Sequence, residues 1–189
     1  MRKGFLLMVM ALCIVACRRA PYPKEYGYYR ITLPEHAYTA ADLSGYPYQF
    51  EISKDAEIRP VKYENEQYWI NVHYPTLNAD ICCSYKPVRG NLGQLLDDTQ
   101  TFVYNHAMKA TAIPEHEYAH PEANAYGLLI ELEGNTATPV QFFLTDSTHH
   151  FFRGAIYVNC VPNQDSLAPV TAFLKEDVKH LMETLHWTR

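Results

Sequence analysis

The run Val140-Gln141-Phe142-Phe143-Leu144-Thr145-Asp146-Ser147-Thr148-His149-His150-Phe151-Phe152-Arg153-Gly154-Ala155-Ile156-Tyr157-Val158-Asn159-Cys160 decides the fold. Segments 140–145 and 151–160 are rich in aromatic and β-branched residues, and Asp146-Ser147-Thr148 between them is turn chemistry. The pattern predicts an antiparallel hairpin. Along its second arm Phe152, Gly154, Ile156, Val158 and Cys160 fall on one face, and Arg153, Ala155, Tyr157 and Asn159 on the other, because successive strand residues point to opposite sides. The apolar row belongs in a core, beneath the helix that follows. That helix is expected to start at a cap on Asp165, with Pro169 in its first turn, where a missing N–H is tolerated. Leu167, Val170, Phe173, Leu174, Val178, Leu181 and Leu185 form its buried stripe. The stripe is complete without Glu176 and Asp177, which are assigned to the solvated side.

Toward the N-terminus, 125–132 reads as a strand ended by Glu133-Gly134-Asn135. Segment 113–121 has no clear period. A helix is predicted over 92–110, capped by Asn91, because Leu92, Leu95, Leu96, Thr99, Phe102, Val103 and His106 recur at helical spacing. Before it come hairpin-linked strands at 48–53, 57–62, 67–74 and 77–85, punctuated by Pro75 and Pro87. Tyr68, Ile70, Val72 and Tyr74 share one face of the third. An irregular stretch at 36–45 and a first strand at 28–33, ended by Pro34, complete the series. The order is β-rich, α, β-rich, α. Strands segregated from helices, without βαβ alternation, give an α+β class: an antiparallel sheet covered by two main helices.

The N-terminus carries a different message. Arg2 and Lys3 precede an uncharged, mostly apolar run at 4–15. That run is too short for a bilayer core of about 30 Å, which needs about 20 residues, and it has the length of a signal-peptide core. Ile14-Val15-Ala16-Cys17 then fits the bacterial lipobox, with a small residue before the cysteine that accepts the lipid. Cys13 is a poorer acceptor, since bulky Leu12 precedes it. The expected organisation is a signal peptide at 1–16, a lipidated tether at 17–26 and one globular domain at 27–189. No aspartate follows Cys17, so an outer-membrane anchor facing the periplasm is expected, with palmitate among the acyl chains.

Loss of Arg2 and Lys3 takes the net charge from −5 to −7. An acidic domain lacks the basic footprint of a nucleic-acid binder. The 15 tyrosines lie largely in alternating segments and are read as half-buried sheet residues. Cys82 and Cys83 are adjacent, so on a strand they point to opposite faces and cannot both reach Cys160.

Two motifs invite chemistry. His116-Glu117-Tyr118-Ala119-His120 has the spacing of a zinc peptidase, which needs both histidines on one helical turn. Pro114 and Pro121 flank it, and proline disfavours helix in the preceding residue. These are therefore read as loop histidines without a metal. Thr145-Asp146-Ser147-Thr148-His149-His150 mixes the residues of a hydrolytic triad, but a triad is defined by geometry, and Asp-Ser-Thr is ordinary turn chemistry. No catalytic residue and no cofactor is assigned. His149, His150, Arg153 and Tyr157 are instead the expected partner-binding residues, with the first three at one end of the sheet.

The C-terminal half also carries a family likeness. Gln141-Phe142-Phe143-Leu144-Thr145-Asp146-Ser147-Thr148 runs into Phe152-Arg153-Gly154-Ala155, then Val161-Pro162-Asn163, then Asp165-Ser166-Leu167-Ala168-Pro169-Val170 and Lys175-Glu176-Asp177. Upstream stand Tyr29-Arg30-Ile31-Thr32-Leu33-Pro34 and Ser84-Tyr85-Lys86-Pro87. The whole resembles the gliding motility lipoprotein GldD family. That resemblance implies a non-enzymatic envelope component required for gliding motility and the linked type IX secretion system, with other proteins of that machine as partners. A periplasmic hydrolase and a small-ligand carrier are the alternatives. A deep pocket with convergent polar groups would favour these two, and a flat apolar patch the first.

Overall fold

A computed structural model of the chain describes residues 31–188. The signal segment, Cys17, the tether and the first half of the strand expected at 28–33 lie outside the described residues. In chain order the strands are β1 (Tyr38–Ala40), β2 (Tyr48–Gln49), β3 (Glu51–Ser53), β4 (Glu57–Tyr63), β5 (Glu66–Tyr74), β6 (Ala79–Pro87), β7 (Ala110–Ala112), β8 (Glu115–His120), β9 (Ala125–Glu131), β10 (Glu133–Gly134), β11 (Val140–Thr145), β12 (His150–Val158) and β13 (His186–Trp187). Two helices, α1 (Leu92–His106) and α2 (Gln164–Thr184), separate and close the β-rich stretches.

Seven strands form one antiparallel sheet in the order β4-β5-β6-β12-β11-β9-β8. The hairpin β11–β12 lies at its centre, paired on one side to β6 and on the other to β9. Burial on both faces explains why the two strands of this hairpin are so rich in apolar residues. Gly154 occupies the middle of the central strand, opposite Cys83 on β6 and Phe142 on β11. A Cβ there would come within 2.5 Å of the Phe142 ring and 3.3 Å of Cys83 Sγ, so only glycine admits the Phe142 side chain. Polar β8 closes one edge of the sheet. Exposed β4, which carries Pro60, closes the other.

The two faces bury different helices. Ile70, Val72, Ile81, Phe142, Leu144, Phe152 and Ile156 meet Val170, Phe173, Leu174, Val178 and Leu181 of α2 in the main core. On the opposite face Leu95 of α1 packs with Val88, Phe143 and Phe151, and Val103 packs with Ile130 and Leu132. Each such side chain contributes about 1.5–3 kcal/mol on burial, so the main core dominates. No helix among the described residues is long and apolar enough to cross a membrane.

Several local expectations are corrected. Residues 31–33 are not a strand, and 36–45 holds β1, which pairs with β3. The segment 48–53 splits at Phe50, because its two halves serve different partners, β13 and β1. Segment 113–121, read as a loop, contains β8, paired along its length to β9. Asn91 precedes α1 without capping it; its Oδ1 accepts the Arg89 N–H instead. Asn163, not Asp165, caps α2, its Oδ1 accepting the Ser166 N–H at 3.2 Å. Both residue types cap well, so spacing alone does not choose. The earlier start moves Pro169 into the second turn, where no proline N–H is available to the Asp165 carbonyl.

Asp177 is the largest departure. It sits inside the buried stripe, only 4% exposed. Tyr74 Oη donates to its Oδ2 at 2.8 Å, Tyr38 Oη donates to Oδ1 at 3.0 Å, and His36 Nδ1 lies 2.7 Å from the same oxygen. The His36 ring stacks on Phe173 and the Tyr38 ring on His180. A buried carboxylate thus ties the first described segment to α2. Burial, then the carboxylate beside it, pushes the Tyr74 phenol well above its ordinary pKa.

Candidate functional site

Helix α1 covers only half of its face. Its Leu95 and Val103 sit over side chains of β9, β11 and β12, and the sheet surface over β5 and β6 is left bare. The flank of the helix and that bare surface bound a cleft of about 370 Å³. Ligand pockets commonly fall in the range of about 300–1,000 Å³.

Strand alternation supplies the floor. Six residues that oppose the main core on β5, β6 and β12 line the cleft: Trp69 and Asn71, Cys82 and Ser84, Arg153 and Tyr157. Pairing aligns Asn71 with Cys82 and Ala155 in a row across three strands, and Ser84 with Arg153 in a row across two. Phe102 of α1 forms the wall, with Tyr63 at the rim.

Arg153 is held from two sides. Its Nε donates to Ser84 Oγ at 3.1 Å, and its guanidinium lies 5.1 Å from the centre of the Phe102 ring. Burial lowers its pKa, against which the charges of Asp98 and Glu66 act. Neither carboxylate comes within 4.0 Å of it, and Glu66 is paired with Lys86. Trp69 is fixed by its Nε1, which donates to the Tyr85 carbonyl at 3.1 Å. Burial, then Asp80, pushes the Cys82 thiol up to about 11, which leaves it protonated at neutral pH.

The expected partner-binding residues do not gather on one surface. Period-two alternation sends His150 to the α2 side of β12 and Arg153 and Tyr157 to the α1 side. His150 is buried, stacked on Trp187 with Nδ1 2.8 Å from Tyr85 Oη, and burial lowers its pKa. His149 alone is exposed, in the turn. His149 and His150 stand at the turn end of β12, with Arg153 three residues along the strand and on the opposite face from His150.

The triad-like turn is a structural device. Asp146 Oδ1 accepts the backbone N–H groups of Thr148, His149 and His150 at 3.0, 2.8 and 2.7 Å. Burial works against its charge, but these donors hold the carboxyl down at about 2. They also stabilise Ser147 in the left-handed region at φ 68°. His116 and His120 stand on β8, where residues four apart are separated by about 13 Å, too far for one metal ion. His116 Nε2 instead faces Glu131 Oε1 at 3.2 Å. Among the described residues no three His, Cys, Asp or Glu side chains gather as a metal site. Cys82 faces the cleft, Cys83 the core, and Cys160 is exposed; none is in a disulfide.

Trp69, Asn71, Cys82 and Ser84 were not among the expected site residues. Their signal was available, as an aromatic and polar row opposite the apolar one on two neighbouring strands. It becomes a site only when β12 is known to lie beside them.

The family described as Gliding motility lipoprotein GldD matches residues 18–187. No curated protein matches the chain. Among solved structures, the solution structure of cyanobacterial PsbP (CyanoP) from Synechocystis is similar at 7% identity and a TM-score of 0.48, covering 82% of this chain and 95% of that one.

Proposed function

Because the chain belongs to the gliding motility lipoprotein GldD family, we propose that it is a non-enzymatic accessory component required for gliding motility and for the linked type IX protein secretion system. It acts from the outer membrane, held by acyl chains on Cys17 and facing the periplasm. Two or three chains anchor stably where one does not, each buried CH₂ contributing about 0.8 kcal/mol. The observation that carries this reading is the family match, which begins one residue beyond the lipobox cysteine. The non-enzymatic part is supported by how the reactive side chains are engaged. Asp146 is tied to backbone amides, and the Cys82 thiol is pushed away from its nucleophilic form.

Deletion of the gene is expected to abolish both surface spreading and export of type IX cargo, with Cys17→Ala failing to restore either. Normal spreading and normal export in the deletion strain would end the proposal. One observation favours a second reading, that the domain binds a small molecule: the cleft beneath α1 carries convergent polar groups, whereas a purely structural accessory would need none.

A further inference from the structure

The geometry points to the cleft between α1 and the bare half of the sheet as a binding site for a small organic monocarboxylate with an apolar, ring-shaped body. This inference goes beyond the accessory role and stands or falls separately from it. Four observations carry it.

The first is the state of Arg153. Ser84 and Phe102 fix the guanidinium through Nε and one face, so the fork of terminal nitrogens is pre-oriented. No carboxylate of the described residues lies within 4.0 Å of it. A half-buried guanidinium held in this way and left without a counter-ion matches the planar, two-oxygen geometry of a carboxylate. The second is charge. Among the described residues Arg153 is the one cationic side chain lining the cleft, Lys86 beside Trp69 being paired with Glu66, which suits a single negative charge better than a phosphate dianion. The third is the aromatic frame: Trp69 on the floor, Phe102 on the wall and Tyr63 at the rim give the cleft an apolar, ring-built lining, with Arg153 packed on Phe102 and Lys86 Nζ 5.6 Å from the Trp69 ring centre. The fourth is the contrast between the two faces. On the α2 side the same three strands carry an almost unbroken apolar row. On the α1 side they carry Asn71, Ser84 and Arg153 in a partly enclosed space. Ser84 and the Arg153 Nε satisfy each other, while the Asn71 amide and the terminal guanidinium nitrogens are free to hydrogen-bond a carboxylate placed between them.

The test is isothermal titration of the full-length lipoprotein in maltoside micelles with 2-naphthoate, set beside 2-naphthamide and a micelle-only blank. Saturable binding at one site per chain is expected, with the uncharged amide weaker by about tenfold or more, as loss of a charge-assisted pair requires. Arg153→Gln is expected to weaken naphthoate about tenfold and leave the amide unchanged. Should that variant fail to fold, Asn71→Leu replaces a half-buried amide on the floor with an apolar side chain of similar size, and is expected to weaken naphthoate about threefold at an unchanged melting temperature. The proposal is overturned by the absence of saturable heat above the blank, by equal affinity for acid and amide, or by wild-type affinity in the folded variants.

Discussion

Replacement of Asp177 by alanine is expected to remove about 3 kcal/mol of stability. The carboxylate accepts from Tyr74 and Tyr38 and contacts His36. Those three partners do not lose equally. His36 and Tyr38 reach solvent and regain water, whereas Tyr74 is 1% exposed and would keep an unsatisfied hydroxyl. An orphaned buried polar group costs about 1–3 kcal/mol, and a hydrogen bond to a charged acceptor contributes about 1.5–3 kcal/mol. Relief of the desolvation of the carboxylate itself offsets part of the sum. A net loss near 3 kcal/mol is a large share of a typical stability of about 5–15 kcal/mol. With a urea slope of about 2 kcal/mol/M, the midpoint should fall by about 1.5 M at an unchanged slope. Tyr74→Phe should cost about half as much, and the double variant less than the two together, because it leaves no orphan. Urea titrations of the four proteins decide the matter. A midpoint for Asp177→Ala within about 0.25 M of the parent, or strict additivity in the cycle, refutes the view that this carboxylate clamps the N-terminal segment to α2.

Three further outcomes are expected. Asp146 has a depressed folded pKa of about 2, so its contribution is present above the unfolded value near 4 and is lost as pH falls toward 2; Asp146→Asn should flatten that part of the pH–stability curve, and an unchanged curve counts against the turn assignment. Gly127→Ala would place a Cβ 1.8 Å from the Phe143 carbonyl oxygen on the neighbouring strand, so the β9–β11 pairing must break; a loss of about 3 kcal/mol or outright misfolding is expected, and a melting temperature within a degree or two of the parent would contradict the register. Elemental analysis should find no stoichiometric zinc, since β8 separates His116 from His120; one zinc per chain, lost in His116→Ala, would overturn that.

The parts of the fold that depend on local period were legible in the chain. The 140–160 hairpin, the stripe of α2 and the stripe of α1 follow from alternation and helical spacing, and both helices lie over apolar rows as that spacing demands. What depended on strand order was not. The hairpin pattern announces β11 beside β12, but no local feature announces β6 on the other side, and without that pairing Arg153 reads as the end of a hairpin and not as the floor of a cleft. Asp177 was misread for a related reason. It stands four residues from both Phe173 and Leu181, inside the stripe, yet its charge argued for solvent until Tyr74 and His36 were brought to it from more than a hundred residues away. The histidines of β8 illustrate the opposite error: the prolines correctly argued against a helix, but an edge strand tolerates flanking prolines as readily as a loop does.

The two margins of the sheet matter for a protein fixed to a membrane surface. Confinement of many copies to one leaflet raises their local concentration and aligns them, conditions that favour strand-to-strand polymerisation between neighbours. Along β4, Pro60 withholds an amide proton, and Glu57, Arg59 and Lys62 crowd the margin with exposed charge. Along β8, Glu115 and Glu117 likewise place exposed charge at the margin. Copies brought side by side on a membrane would meet one another with margins that oppose backbone pairing.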